Sequence, residues 1–225
     1  MEIDKLFNCN CMDFMKSMPD KSVDMTLTDI PYERVNENKD HNELRNIDKG
    51  QADIKTFELE DFLIQVKRIT KGTIVIWCGI EQIATIYRFF KDNKYPTRHL
   101  IWHKTNPSPM NGDKMYLNAT EDAVWAKRGA TFNAKCVSNV LEYPTGSSEI
   151  HPTEKNHDLL RQLIIQNTKQ NQIVFDPCAG SGSTLLVAGQ EGRHYLGCEL
   201  HKEFYEKAEK RLRLQGGYVP QLFDF

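Results

Sequence analysis

The chain has no long apolar run, no paired-cysteine pattern and almost no net charge, and each of these gaps removes a class of protein. Its 225 residues are 40% hydrophobic and 27% charged. The ~20 consecutive apolar residues of a spanning helix occur nowhere, which excludes an integral helical membrane protein. Met1 to Asp13 lacks a basic stretch followed by an apolar one, so no secretory signal is expected. The six cysteines form no C-x-x-C repeat, and without an export signal they read as reduced thiols in a cytoplasm. Cys9 and Cys11 lie close together, but the further ligands of a zinc site are missing, so no metal is expected.

Lys and Arg number 29 against 31 Asp and Glu, a net charge of -2, so bulk charge gives no sign of a polyanionic partner. Its distribution is uneven. Residues 85–135 hold nine basic against four acidic residues, whereas residues 33–61 hold five basic against nine acidic. A basic third on a neutral chain suits a nucleic-acid face, with Lys104, Lys114, Lys127 and Arg128 as candidate DNA-binding residues; a solvated surface of mixed charge is the plain alternative.

What is present is alternation. Short β-rich runs, Val23 to Thr28, Thr73 to Cys78, His99 to His103, Asp122 to Ala126, Ile173 to Phe175 and Tyr195 to Cys198, are interleaved with amphipathic helical patterns. Helices are predicted over Leu59 to Ile69, with Lys71-Gly72 as the stop, and around Ile83 to Phe90, Leu159 to Ile164, Ser183 to Gln190 and Phe204 to Leu212. This order predicts an α/β fold with a mostly parallel twisted sheet and helices on both faces. One domain over residues 1–225 accommodates it. Two segments break the alternation. Residues 33–56 read as a long mobile loop, and residues 129–150 as an irregular part of an insert spanning about 106–150, a candidate DNA-recognition region.

Two short motifs carry chemistry. In the first, Asp176-Pro177-Cys178-Ala179-Gly180-Ser181-Gly182, with Thr184 following, ends a buried strand and opens a helix. Leu185 stands where a dinucleotide fingerprint has its third glycine, and the Gly-Lys-Ser/Thr of a phosphate loop is absent, so a pyrophosphate ligand is disfavoured. An acid before the first glycine suits a ligand with an ammonium group. Glu199, 19 residues after Gly180 at the next strand end, can accept from ribose hydroxyls. Together these point to S-adenosylmethionine. The second motif is Asp29-Ile30-Pro31-Tyr32, at the end of another strand. Methylating an exocyclic amine requires acceptors that draw on its N–H bonds while nitrogen becomes tetrahedral. The Asp29 carboxylate and the Ile30 carbonyl, restrained by Pro31, supply two, and Tyr32 offers an aromatic face for an extruded base.

With these motifs in this order the chain resembles the β-type amino-specific DNA methyltransferases, N6-adenine or N4-cytosine, in which the catalytic tetrapeptide precedes the cofactor motif. Residues 10–24, the segment Ile101 to Pro107, Glu121 to Lys127 and His151-Pro152-Thr153-Glu154-Lys155 are similar to that family as well. The resemblance implies a circularly permuted Rossmann-like methyltransferase fold, S-adenosylmethionine as cofactor and double-stranded DNA as partner. By the same resemblance Asn10 and Cys11 face the cofactor adenine, 176–182 line its methionine end, Glu199 takes its ribose, and Thr153 and Lys155, at the head of a cofactor-flanking helix, also bind the cofactor. Asp at position 29 favours adenine, with cytosine N4 as the first alternative. A protein glutamine N-methyltransferase and an inactive DNA-binding relic are further alternatives. The resemblance also implies a cytoplasmic enzyme of a bacterium or phage, and allows a homodimer and a restriction endonuclease partner. Departures from the family pattern are Asn10 for Asp, Ile30 for Pro, and Glu154 and Asn156 after His-Pro-Thr.

Overall fold

The computed structural model describes residues 2–32, 57–109, 112–129, 132–146 and 154–216. They run β1 (Lys5–Asn8), α1 (Cys11–Ser17), β2 (Val23–Asp29), α2 (Leu59–Ile69), β3 (Thr70–Cys78), α3 (Ile80–Asp92), β4 (Thr97–Lys104), β5 (Thr120–Lys127), β6 (Val140–Tyr143), α4 (His157–Asn167), β7 (Ile173–Asp176), α5 (Ser183–Gln190), β8 (His194–Glu199) and α6 (Lys202–Gln215). The predicted loop 33–56 and Thr153, with His151 and Pro152, lie outside the described residues.

Alternation along the central strands decides the layering. In β3, Val75 and Trp77 pack with Leu159, Leu163, Leu185 and Leu212, while Ile74, Ile76 and Cys78 pack with Met15, Phe62, Val66 and Phe90. Helices α4, α5 and α6 therefore cover one face and α1, α2 and α3 the other. Strands buried on both faces read as continuous apolar runs, which is why β2 and β3 were visible as strands. In α2, Leu59, Phe62, Leu63, Val66 and Ile69 form one buried stripe at helical spacing, each large side chain contributing about 1.5–3 kcal/mol on burial.

The sheet order is β1-β8-β7-β2-β3-β5-β4-β6. β5 alone among the described strands runs against the rest, pairing antiparallel with β3 and β4; the other pairings are parallel. From β2 the chain moves outward to β3, and from β7 it moves the other way to β8. The topological switch point thus falls between β2 and β7, where ligands of open α/β sheets bind beyond the strand carboxyl ends. Because β5 is reversed, its first residues reach that same edge.

Three expectations are corrected. Lys71-Gly72 does not end a helix: α2 closes at Ile69, and Thr70, whose hydroxyl lies 2.6 Å from that of buried Thr26, already begins β3. Residues 129–150 are not wholly irregular, since β6 pairs parallel with β4 as an edge strand with only Leu141 buried. Two short elements were unanticipated, β1 with only Leu6 buried and the seven-residue α1.

Candidate active site

Asp29 ends β2 and Asp176 ends β7, on adjacent parallel strands at the switch point. Asn10 follows β1, Glu199 ends β8, Lys104 ends β4 and Glu121 lies at the start of β5. One sheet edge therefore gathers both motifs.

The tetrapeptide after β2 is fixed through its backbone. The Ile30 N–H donates to the Trp77 carbonyl at 3.2 Å, carrying β2–β3 pairing one residue further. A proline here would lack that donor. The Ile30 side chain is buried against α1 and α2, so burial and one hydrogen bond replace the rigidity that a second proline would give. The Pro31 carbonyl accepts from Gln82 Nε2 at 3.0 Å, and the Gly79 N–H donates to Gln82 Oε1 at 2.9 Å. Gln82, buried at the start of α3, thus holds the tetrapeptide to the end of β3. Tyr32 is half-buried, and burial drives its hydroxyl pKa up.

The Asp29 side chain is 29% exposed and its Oδ2 is paired with Lys155 Nζ. Its Oδ1 is inaccessible and has no hydrogen-bond partner among the described residues. Burial raises the Asp29 carboxyl above its ordinary range against the pull of Lys155. Lys155 is itself buried, 2.8 Å from Glu121 Oε2 and 5.7 Å from the centre of the Trp77 ring. The approach to Glu121 is an ion pair without hydrogen-bond alignment. Glu121 Oε1 in turn sits 2.8 Å from Lys104 Nζ. Lys104, Glu121, Lys155 and Asp29 form a chain of alternating charge. Burial opposes ionisation of Glu121, yet Lys155 and Lys104 hold its carboxyl below the usual range.

The Asp176 end is built differently. Asp176 is 3% exposed and its Oδ1 accepts the Cys178 N–H at 3.1 Å. Burial pushes its pKa up to about 7, opposed by the nearby Thr28 hydroxyl, the Cys178 N–H and the Thr184 hydroxyl. The following turn needs left-handed backbone, with φ of +51° at Gly180 and +74° at Gly182. A Cβ on Gly182 would also lie 3.2 Å from that of Ala208 in α6. The turn is closed by Gly182 N–H to Ala179 carbonyl at 2.7 Å and tied to β8 by Ala179 N–H to Cys198 carbonyl at 2.9 Å. The Ser181 and Ser183 hydroxyls lie 2.6 Å apart. Glu199 accepts the Gly180 N–H through Oε2 and the His201 N–H through Oε1, both at 2.8 Å, and burial raises its carboxyl. Asn10 caps α1, its Oδ1 accepting the Met12 N–H at 2.8 Å, while Cys11, first in that helix, is buried. Asp176, Pro177 to Gly182, Thr184, Glu199, Asn10 and Cys11 are therefore brought to one crevice. Lys155 falls at the Asp29 end of it, with its ammonium between two carboxylates.

The basic residues do not form one face. Lys104 is 13% exposed and paired with Glu121 inside the site. Lys127 and Arg128 follow β5 to the opposite sheet edge, about 20 Å from Glu121 at ~3.3 Å per residue. Their cations lie over Phe132 and Tyr95. Of the four expected DNA contacts, only exposed Lys114, between β4 and β5, has both a free surface and the site edge. Glu121 and Gln82 went unanticipated as site residues. A polar residue heading the apolar run of β5, and one at the start of an apolar helical face, were the available signals. Among the described residues no group of His, Cys, Asp and Glu could hold a metal ion, and no helix is long and apolar enough to cross a membrane.

A buried acid leading a left-handed glycine turn beside the switch point, with a second acid ending the next strand, is the arrangement of an S-adenosylmethionine-dependent methyltransferase. Comparison narrows it. A family profile described as DNA methylase matches residues 124–210. The type II methyltransferase M.HinfI of Haemophilus influenzae is 32% identical, over 91% of this chain and 67% of the relative. M2.MboI of Moraxella bovis is 28% identical, over 92% of this chain and 88% of the relative. The crystal structure of the M1.HpyAVI–SAM complex superposes with a TM-score of 0.71 at 26% identity, covering 92% of this chain and 99% of that one. The chain belongs to the amino-specific N6/N4 DNA methyltransferase family. Its substrate class is DNA and its cofactor S-adenosylmethionine.

The residues present fit that cofactor. Asp176 is a buried acid with no cation beside it among the described residues, and the turn that follows it takes left-handed backbone at Gly180 and Gly182.

Proposed function

We propose that this protein methylates the exocyclic N6 of an adenine turned out of double-stranded DNA. The observation that carries this reading is the Asp29 carboxylate, 29% exposed at the end of β2, held on one side by Lys155 and lying one strand from Asp176. S-adenosylmethionine supplies an electrophilic methyl group. Asp176 takes the cofactor ammonium, the 177–182 turn with Thr184 its methionine end, Glu199 its ribose, and Asn10 with Cys11 its adenine.

The protein's own work is on the amine. The Asp29 carboxylate accepts one N–H of the target and the Ile30 carbonyl the other, concentrating the lone pair on nitrogen; Tyr32 stacks on the base. The anchored backbone keeps both acceptors fixed, so Ile30 is compatible with turnover. Exposed Lys114 is positioned for a phosphate, and a restriction endonuclease of matching specificity suits the type II relatives. Transfer of tritiated methyl groups to unmethylated DNA, followed by nucleoside mass spectrometry, tests the reading. N6-methyladenine is expected. N4-methylcytosine would shift the specificity, labelled protein would indicate a glutamine methyltransferase, and no label with intact cofactor binding would indicate a relic.

A further inference from the structure

Asp176, Glu199 and Asp29 serve the cofactor and the target amine; Lys155, which the family resemblance sets at the cofactor, lies between Asp29 and Glu121, and Lys104, expected at DNA, pairs with Glu121. Taking three charged side chains out of water is costly unless each is paired. Here each is: Lys155 is 8% exposed, Lys104 13% and Glu121 20%. The strap carrying Lys155 is pinned residue by residue. Glu154 accepts from Arg211 of α6 at 2.7 Å and lies 2.7 Å from His157 Nε2. Asn156 caps α4 through the Asp158 and Leu159 N–H groups and donates to the Pro144 carbonyl at 3.0 Å. Between these two anchors the Lys155 ammonium lies 5.7 Å from the centre of the Trp77 ring and reaches Asp29.

We propose that Lys155 is a positioning residue: its ammonium, backed by Glu121 and Lys104, clamps the Asp29 carboxylate through Oδ2 so that the carboxylate meets the target amine ionised and in one orientation. This rests on the reading of Asp29 given above. A carboxylate left free to turn would offer its oxygens at varying angles, and a protonated one would lose acceptor strength. The clamp works against both. The groups facing Asp29 are Lys155 from the strap, Glu121 from β5, Tyr32 from its own turn, Cys78 from β3 and Asp176 from β7. Of these only Lys155 is a cation; Glu121 acts on Asp29 in the opposite sense.

The opposition in sign supplies the test. The pH dependence of kcat/KM for DNA is measured at saturating S-adenosylmethionine, so that Asp176 is already committed to the cofactor, for wild type, Lys155→Met, Lys155→Arg and Glu121→Gln. Lys155→Met should move the acidic limb up by about 1 to 3 pH units, the usual reach of an adjacent opposite charge. It should also lower the plateau at least tenfold, with the cofactor dissociation constant within threefold of wild type. Lys155→Arg should restore the limb, and Glu121→Gln should move it down. A limb unmoved in Lys155→Met, or moved up or unmoved in Glu121→Gln, overturns the clamp. A tenfold loss of cofactor affinity in both Lys155 variants would make Lys155 a cofactor contact instead. Should Lys155→Met fail to fold, the Arg and Glu121 variants decide alone. Absence of DNA methylation by wild type would defeat the reading of Asp29 itself, a result separate from any shift among the variants.

Discussion

Asp29 and Asp176 sit at the ends of neighbouring strands, both in surroundings that disfavour charge, yet only one has a cation supplied by the protein. Asp29 is met by Lys155; among the described residues Asp176 is met by hydroxyls, an N–H and the like charge of Asp29, and burial takes it to about 7. The difference separates permanent from borrowed compensation. A group that must be ready before DNA arrives carries its counterion with it, whereas a group that captures a cationic ligand is left wanting one. In Asp176 the folded protein stores a cost that cofactor binding relieves.

The comparison is broken most severely at Asp29. Asp29→Ala should lower turnover by about a hundredfold or more, the scale of removing one preorganised polar group, while calorimetry finds cofactor affinity little changed. Equal losses in both would show that the two acids do not divide the work. Asp176→Asn should do the reverse, weakening S-adenosylmethionine by about 1.5–3 kcal/mol, the range for a hydrogen bond to a charged group.

Asp176→Asn should also stabilise the cofactor-free protein at pH 8. The folded carboxyl titrates near 7 against an ordinary 3.8, so the folded state holds the extra proton between those values. Stability is therefore lost as pH rises through that window, by up to about 4 kcal/mol above it. Denaturant melts of the variant should lack this loss. By the same linkage wild-type cofactor affinity should climb up to about tenfold per pH unit up to about 7 and then level off, since binding must expel the proton; a flat profile from pH 5.5 to 8 would remove Asp176 from the ammonium site. Glu199→Gln should cost about 1–3 kcal/mol of cofactor affinity, part of it through the Gly180 N–H that Glu199 holds.

The smallest effects distinguish the two sheet edges. Lys114→Ala should flatten the log-log salt dependence of DNA binding by about one, whereas Lys127→Ala and Arg128→Ala should leave it unchanged. A slope altered by the latter pair would require DNA to wrap to the far edge.

These outcomes also mark what could be read before the fold. The buried stripe of α2 and the whole of α5 were legible, though not the stop of α2, because apolar residues at 3.6-residue spacing and a glycine turn leave strong signals. β1 and β6 were not, since an edge strand with one buried residue has no period to detect. Asp29 and Asp176 were visible because each ends an apolar strand in a recognisable motif. Glu121 and Gln82 were hidden, because their partners lie 34 and 51 residues away in the chain, at Lys155 and Pro31. The basic stretch misled for a related reason: contiguity in sequence is not contiguity in space, and each strand of the β4–β5 hairpin carries its two ends to opposite edges of the sheet.

That hairpin has one more consequence. Since β5 returns antiparallel beside β4, the segment 105–119 joining them leaves and re-enters the sheet at the rim of the catalytic crevice, and its only covalent ties to the scaffold are two strands already registered against each other. Its length and composition can change without altering the paired register, while the reaction chemistry stays with strands that take no part in the exchange. Grafting the corresponding segment from a relative of different specificity is therefore the exchange that the sheet topology best tolerates, and a changed target sequence in such a graft is the result that would assign recognition to it.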